Sequence, residues 1–211
     1  MTESIQVFYD QEYFYRNRLD LAFHPQGIGL RKKGDWRVIV PLDRCVISNE
    51  RLNSLMKEIL DFFEEPIDAF DVRKKIGTFH HVIVRTPTND STLLFVLNKD
   101  STHVAEAVEK IEAFSEKTTA KNVIVMYVDA HSGADISDDF FVVKGEDWLL
   151  GEYLGKKFWL AAQGFFQTND VMAEKMHEVV HGLLGRYPTH EAHLLDLYGG
   201  VGTFGILNAP L

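Results

Sequence analysis

Residues 161–209 read AAQGFFQTNDVMAEKMHEVVHGLLGRYPTHEAHLLDLYGGVGTFGILNA, and this stretch decides the fold class of the C-terminal part. Its pattern predicts a loop, an amphipathic helix, a buried strand at Leu194-Leu195 and then a glycine turn. Glycines after a strand let the backbone turn sharply and approach a ligand closely, where side chains would obstruct both. A glycine turn in this place is either a plain tight turn or a ligand site.

Two motifs in the stretch indicate which ligand is bound. F-F-Q-T-N occupies residues 165–169, before the helix, and D-L-Y-G-G-V-G-T-F occupies residues 196–204, after the strand. Together they resemble the RNA uracil-C5 methyltransferases, a family that uses S-adenosylmethionine and includes tRNA thymine-54 and 23S rRNA m5U enzymes. That family commonly has a cysteine where this chain has Gly199, and this cysteine is not the catalytic one.

The resemblance implies that this stretch opens a Rossmann-like α/β methyltransferase domain, and it implies roles for several residues of the two motifs. Phe165 is expected beside the target uracil, because an aromatic face can stack on a base that leaves its RNA context. An acidic residue at the tip of the strand, Asp196, can order the loop or accept hydrogen bonds from the ligand. The full cofactor-binding set that we predict is Gln167, Asp196, Tyr198, Gly199, Gly200, Gly202 and Thr203.

The chemistry of the family requires residues that this sequence does not contain. Family members attack uracil C6 with a cysteine thiolate, which makes C5 able to take the methyl group, and a carboxylate base then removes the C5 proton. The family places both residues after the first glycine loop, and therefore after Leu211. We expect a fragment truncated early in the methyltransferase domain, with no catalytic residue, an incomplete S-adenosylmethionine site and no activity on its own.

Composition limits the other classes of function. The 211 residues carry a formal charge of −9 with a pI near 5.4, which argues against binding nucleic acid by bulk electrostatics but is compatible with a local basic patch. The single cysteine, Cys45, excludes an internal disulfide and a cysteine-only metal cluster. We expect no iron–sulfur cluster, and a buried Cys45. The sequence shows no signal peptide or membrane-spanning stretch, which predicts a cytoplasmic protein.

The residues before this stretch predict an α+β domain with a largely antiparallel sheet. From Trp36 to Val128 the periodicity predicts β-α-β-β-α-β, the split βαβ pattern, with its helices capped by Ser48 and Ser101. We assign residues 1–138 to a central RNA-binding domain. Residues 139–211 then hold linker strands, at 140–144 and 156–161, and the N-terminal part of the methyltransferase domain.

A cluster of basic residues lies on the first predicted strands, interleaved with Tyr15 and Trp36. Cations for phosphates and rings for bases suit RNA, whereas the alternative is a solvated strand face. Y-R-N-R and G-L-R-K-K-G also match the family, which favours RNA, either tRNA or rRNA. Arg85, on a middle strand, is a further candidate for contact with RNA. The predicted cluster comprises Arg16, Arg18, Arg31, Lys32, Lys33 and Arg37.

His177-Glu178-Val179-Val180-His181 matches the H-E-x-x-H signature of zinc hydrolases. Helical spacing places both histidines off the apolar stripe, on a face expected to be solvated, which disfavours a metal site. A third ligand would have to come from His190, Glu191 or His193. The alternatives to a methyltransferase fragment are therefore a zinc hydrolase and an RNA-binding module without activity. An incomplete half-domain would expose apolar surface, so a dimer through the C-terminal region is also expected.

Overall fold

The computed structural model describes residues 5–64, 67–131, 136–187 and 193–209, without the side chain of Trp36. Two β-sheets and four helices account for the regular structure of these residues. The elements in chain order are β1 (Arg18–His24), β2 (Gly27–Lys32), β3 (Asp35–Pro41), α1 (Glu50–Phe62), β4 (Phe79–Arg85), β5 (Thr92–Asn98), α2 (Val104–Ser115), β6 (Asn122–Val128), β7 (Phe140–Lys144), β8 (Trp148–Tyr153), β9 (Lys156–Ala161), α3 (Asp170–Leu184) and α4 (Thr203–Asn208).

The larger sheet has seven strands in the order β3-β2-β1-β4-β5-β6-β7. All neighbours are antiparallel except β5 and β6, which α2 connects in parallel. The prediction of a mixed α/β fold with a largely antiparallel sheet is therefore confirmed. The pairing is not that of a split βαβ unit, because β5 and β6 are direct neighbours and no strand separates them. Strand β7, expected in a linker, pairs with β6 and so belongs to this sheet.

Helices α1 and α2 cover one face of the larger sheet, and the main core lies between these helices and the sheet. Four residues of α1 at helical spacing are fully buried, and a cluster of phenylalanines packs beneath them. Cys45 is partly buried and packs against this core, as a small hydrophobic residue would. The four α1 residues are Leu52, Leu55, Met56 and Ile59.

Both predicted caps are displaced along the chain. Asn49, not Ser48, is the N-cap of α1, and its side chain accepts a hydrogen bond from the backbone N–H of Leu52 at 2.8 Å. Helix α2 begins at Val104, and the hydroxyl of Ser101 accepts from the backbone N–H of His103 at 3.1 Å. Asn and Ser are both good N-caps, so the sequence alone did not distinguish between adjacent candidates.

The opposite face of the sheet holds the chain that leads into the C-terminal part. Arg85 is buried there, at 4% exposure, and donates from Nη1 to the carbonyl oxygens of Ala162 at 2.6 Å and Gly164 at 2.7 Å. The prediction of an RNA-facing Arg85 is therefore wrong. Burial lowers its pKa to about 10, so the guanidinium stays charged near pH 7.

Strands β8 and β9 form a separate hairpin, against which α3 and α4 pack. Strand β8 was not predicted, because Gly151 and Glu152 interrupt its apolar run. The buried residues of α3 are Ala173 and His177. Val171, Met176 and Leu183 belong to the apolar stripe that helical spacing predicts to be buried, but they are exposed. Within the described ranges, no helix is long and apolar enough to cross a membrane.

Candidate functional site

The F-F-Q-T-N loop lies between β9 and α3 and is attached to the start of β1. The backbone N–H of Asn17 donates to the carbonyl of Thr168 at 2.9 Å. The Asn17 side chain donates to the Gln167 carbonyl at 3.1 Å and to Asp170 Oδ1 at 2.7 Å. Asn17 is buried, so these bonds are shielded from water and fix the loop against the larger sheet. The loop ends at Asn169, whose side chain caps α3.

The two phenylalanines of the loop have different environments. Phe166 is buried and its ring stacks on Tyr153 at 4.8 Å between centroids. Gly151 makes room for it, because a β-carbon at this position would lie 2.7 Å from Phe166 Cζ. Phe165 is 68% exposed. The structure therefore gives Phe166 a packing role and leaves the ring of Phe165 accessible.

The glycine loop is a chain of tight turns. Tyr198, Gly200 and Gly202 have φ values of 59°, 58° and 76°, in the left-handed region that glycine adopts most readily. Asp196 Oδ2 accepts from the backbone N–H of Gly205 at 3.1 Å, which links the two ends of the loop. A β-carbon at Gly199 would lie 2.9 Å from the same carboxylate oxygen. A residue larger than glycine at 199 would thus displace Asp196 from its present position.

The expected buried strand before this loop is not formed. Leu194 and Leu195 are 51% and 77% exposed and pair with no strand in the described part of the chain. A strand is stabilised by its neighbours, and the β8–β9 hairpin lies against α3 and α4 instead of beside these leucines.

The two motifs meet at a pocket of about 160 Å³. Gln167 lines it from the loop before α3, and Tyr198, Gly199, Gly200 and Thr203 line it from the glycine loop. Asp196 and Gly202 do not line the pocket but shape the loop that does. The volume is below the ~300 Å³ at which typical ligand pockets begin.

The floor of the pocket contains two residues that sequence reasoning did not assign to it. Tyr153 and His177 are each 1% exposed, and neither the Tyr153 hydroxyl nor His177 Nδ1 has a hydrogen-bond partner. The His177 ring lies 5.1 Å from Tyr153 and 4.4 Å from Phe204. Burial lowers the pKa of His177 and raises that of Tyr153, so both are uncharged near pH 7.

Comparison with known proteins identifies relatives. No protein-family model matches the chain. An uncharacterised RNA methyltransferase of Caldanaerobacter subterraneus subsp. tengcongensis is 30% identical over 208 residues, covering 94% of this chain and 46% of the relative. The tRNA (uracil(54)-C(5))-methyltransferase of Pyrococcus abyssi is 26% identical over 201 residues, covering 91% of this chain and 44% of the relative. The resemblance to RNA methyltransferases is confirmed.

A solved structure shares the fold. The crystal structure of Pyrococcus abyssi tRNA (uracil-54, C5)-methyltransferase in complex with S-adenosyl-L-homocysteine matches with a TM-score of 0.72 and 24% sequence identity. The match covers 95% of this chain and 47% of that chain. The present chain thus spans about half the length of the RNA methyltransferases it matches.

The basic residues that the RNA methyltransferase resemblance highlights lie in two places. Arg16 and Arg18 are at the start of β1, where Arg16 Nε donates to the Arg18 carbonyl and Arg18 forms a 3.1 Å ion pair with Asp20. Arg31 lines a surface pocket of about 270 Å³ together with Arg37 and Arg73. Arg73 was not predicted, because it is distant from the other two in the chain. Lys32 and Lys33 are exposed at the end of β2.

The H-E-x-x-H motif does not form a metal site in the described residues. His177 points into the hairpin side of α3, not to solvent as predicted, while His181 Nδ1 lies 3.0 Å from Asn208 Oδ1. Among the described residues no group of three His, Cys, Asp or Glu side chains is placed to hold a metal ion. His190 and Glu191, two of the candidate third ligands, lie outside the described residues, and His193 is exposed.

Proposed function

We propose that this chain carries the RNA-contacting sheet and part of the cofactor site of an S-adenosylmethionine-dependent RNA uracil-C5 methyltransferase. The observation that supports this most directly is the pocket that joins Gln167 to the glycine loop. These residues come from two motifs separated by α3, and they were predicted as cofactor ligands from the sequence. The proposal places the first elements of the Rossmann-like domain after β7, with the RNA-binding domain before it.

The lining of the pocket fits the cofactor in its chemistry. It is largely aromatic, and it contains buried polar atoms that have no partner within the protein. When bound, S-adenosylmethionine supplies an electrophilic methyl group. Gln167, Tyr198 and Thr203 would contact the cofactor, and Asp196 would hold the loop in shape through its bond to the Gly205 N–H.

Phe165 is proposed to contact the target base. Its ring borders the same pocket and is 68% exposed, so it is accessible to a base. Stacking on an aromatic face is worth roughly 1–3 kcal/mol per base in single-stranded RNA recognition. The uracil assignment and the choice of tRNA, which the Pyrococcus abyssi relatives favour, belong to this proposal.

Calorimetry with S-adenosylhomocysteine tests the cofactor assignment. We expect binding to the chain extended by the second half that its relatives have, and about tenfold weaker binding to Gln167→Ala in the same extended chain, because a hydrogen bond to the ligand is worth roughly 1.4 kcal/mol. Gln26→Ala, an exposed glutamine in the β1–β2 turn, serves as the matched control and should bind like the wild type. Absence of binding to the extended wild-type chain would refute the cofactor assignment.

A second candidate function is RNA binding without catalysis, favoured by the convergence of Arg31, Arg37 and Arg73 around one surface pocket. Binding of a tRNA transcript should weaken as salt increases, and Arg73→Ala should reduce the salt slope by about one unit. Lys57→Ala, an exposed lysine that pairs with Asp61 on α1, should leave the slope unchanged. Equal slopes for all three proteins would contradict RNA contact at this pocket.

The zinc and dimer hypotheses have direct tests. Metal analysis should find substoichiometric zinc, because the His177 ring packs between Tyr153 and Phe204. The dimer would form through exposed apolar residues of the C-terminal region, and sedimentation velocity should then show dissociation when Leu195→Asp and Leu197→Asp are introduced. The exposed apolar residues are Leu194, Leu195, Leu197, Val201 and Ile206.

A further inference from the structure

Three arginines surround a surface pocket whose charge suits a phosphate group. Arg31, Arg37 and Arg73 are exposed and line this pocket of about 270 Å³, which we call the basic pocket. Asp71 is the one carboxylate among its described lining residues, so three guanidinium groups and one carboxylate give the lining a formal charge of +2 when His24 is counted as neutral. A guanidinium group presents paired N–H donors that match two oxygens of a phosphate.

Two acidic residues near the basic pocket are engaged within the protein. Asp71 Oδ1 accepts from the backbone N–H groups of Lys74 at 3.1 Å and Arg73 at 2.8 Å, and these bonds hold the pKa of Asp71 below its ordinary value. Asp35 does not line the pocket, and its Oδ1 lies 3.8 Å from Arg37 Nε, which is longer than a hydrogen bond. The positive charge of the lining is therefore reduced but not cancelled.

The basic pocket and the F-F-Q-T-N loop lie at opposite ends of β1. Asn17 precedes the strand and bonds to the loop, whereas His24 ends the strand and lines the basic pocket. A strand of seven residues is about 20 Å long. Leu19, Leu21 and Phe23 face the main core, so the alternate residues of β1, including His24, lie on the other face of the sheet.

The two sites lie on the same face of the larger sheet. In β2, Ile28 and Leu30 face the main core, which places Arg31 on the face opposite α1 and α2. The segment that leads to Phe165 is held on that face by its bonds to Arg85. An RNA that lies along this face can therefore contact the basic pocket and Phe165 at the same time.

We propose that the basic pocket binds a backbone phosphate of the same RNA whose target base contacts Phe165, about 20 Å away. At about 3.4 Å per step of a duplex strand, this distance corresponds to roughly six nucleotides. A helical stem keeps the distance fixed, whereas a flexible single strand loses conformational freedom when it is held at two points. The substrate is then an RNA with a stem beside the unpaired target. The inference rests on the proposed function and adds to it the distance between the two contacts.

Arg18 and Asp20 lie between the two sites and form an ion pair with each other. They contribute no net charge along the path of the RNA. The phosphate contact that changes with RNA length is therefore expected at the basic pocket and not along β1.

Two hairpin RNAs with the same uridine-containing loop test the distance. A stem of about three base pairs is too short to reach the basic pocket, and a stem of about ten base pairs spans it. Binding is measured by fluorescence anisotropy for the wild type, for Arg73→Ala and Phe165→Ala, and for Lys57→Ala. Lys57 is the matched control, because it is exposed on α1, on the other side of the sheet.

We expect Arg73→Ala to weaken binding of the long-stem RNA about eightfold at about 0.1 M salt, because one phosphate contact contributes about 0.9 to the slope of log affinity against log salt. Binding of the short-stem RNA should not change. Phe165→Ala should weaken both RNAs, and Lys57→Ala neither. Arg73→Ala should unfold at the temperature of the wild type, because its side chain is exposed, so weaker binding then reports a lost contact.

A second measurement locates the phosphate with the wild-type protein, and it decides the test if Arg73→Ala does not fold. Uncharged methylphosphonate linkages replace one phosphate at a time along the long-stem RNA. We expect the loss of about eightfold at a linkage roughly six nucleotides from the target uridine. The same linkage should cause no further loss with Arg73→Ala, because the pair is already broken.

Other results would overturn the inference. Equal losses for the short-stem and long-stem RNAs in Arg73→Ala would place the contacted phosphate beside the target base. A wild-type chain that binds the long stem no more tightly than the short one, or methylphosphonates without effect in the stem, would exclude contact between the stem and the basic pocket. Each of these results leaves the proposed function standing. If the wild-type chain binds neither RNA, the proposed contact with RNA fails as well.

Discussion

Arg85 offers the sharpest test of how the segment that leads into F-F-Q-T-N is attached to the larger sheet. Its guanidinium is buried and donates two hydrogen bonds, to the Ala162 and Gly164 carbonyls. Arg85→Met keeps the length and the apolar stem of the side chain but removes both donors. We expect the variant to be less stable, and the segment that leads into F-F-Q-T-N to detach from the sheet before the rest of the chain unfolds.

The magnitude follows from the groups left behind. A buried acceptor without a partner costs about 1–3 kcal/mol, so two orphaned carbonyls cost about 2–6 kcal/mol. Removing the buried charge offsets part of this cost, because the folded variant no longer has to desolvate a guanidinium group. The net loss in the free energy of unfolding should be about 2–4 kcal/mol. Urea titrations monitored by circular dichroism measure this difference from the midpoint and slope.

Arg18→Met is the matched control, since Arg18 pairs with Arg85 in the register of β1 and β4 but keeps an accessible side chain. Its ion pair with Asp20 is partly exposed, and such pairs contribute about 0–1 kcal/mol. A loss below about 0.5 kcal/mol in Arg85→Met, or an equal loss in Arg18→Met, would refute the assignment of Arg85 as the anchor of this segment.

Three further predictions concern the loop, the hairpin and a partly buried histidine. Gly151→Ala should lower the unfolding free energy by about 1–3 kcal/mol, because the added methyl group would clash with the Phe166 ring. Adding Phe166→Leu to this variant should recover part of the lost stability, and no recovery would exclude the clash as the cause. Asn17→Ala removes the side-chain donor to the Gln167 carbonyl, so amide exchange in the F-F-Q-T-N loop should accelerate, and unchanged exchange would contradict the attachment. Burial lowers the pKa of His80 to about 4, below its ordinary value of 6.5, so the unfolded chain binds the proton first. Stability should therefore fall as the pH decreases from 6.5 towards 4, and His80→Phe should flatten this dependence; an unchanged slope would show that other groups cause it.

Much of the larger sheet was predictable from local pattern. Strands Asn122–Val128 and Phe140–Lys144 of the larger sheet have the bounds that the sequence indicates, as does Lys156–Ala161 in the β8–β9 hairpin. Continuous or alternating apolar residues mark them clearly, because burial on one or two faces dictates the residue types. Strand β8 was not predicted, because Gly151 and Glu152 interrupt its apolar pattern.

The sequence predicted the two loops that line the candidate site but not all of the residues that surround them. The glycine loop was recognisable because a tight turn requires glycine, and F-F-Q-T-N was recognisable through its resemblance to the RNA uracil-C5 methyltransferases. The positions of Asn17 and Arg73 were not recognisable, since their partners are distant in the chain. His177 was predicted on a solvated face, yet it packs between two aromatic rings.

The sequence by itself determined the strands of the larger sheet, the helices that cover it and its largely antiparallel pairing. It also determined the two motifs and the family they resemble. These properties depend on residue type and on spacing over a few residues. Only the tertiary structure decided which strands are neighbours, which face of α3 is buried, and which residues complete the pocket. Those features depend on contacts between distant segments, and helical or strand periodicity shows that an element has two faces without showing what each face meets.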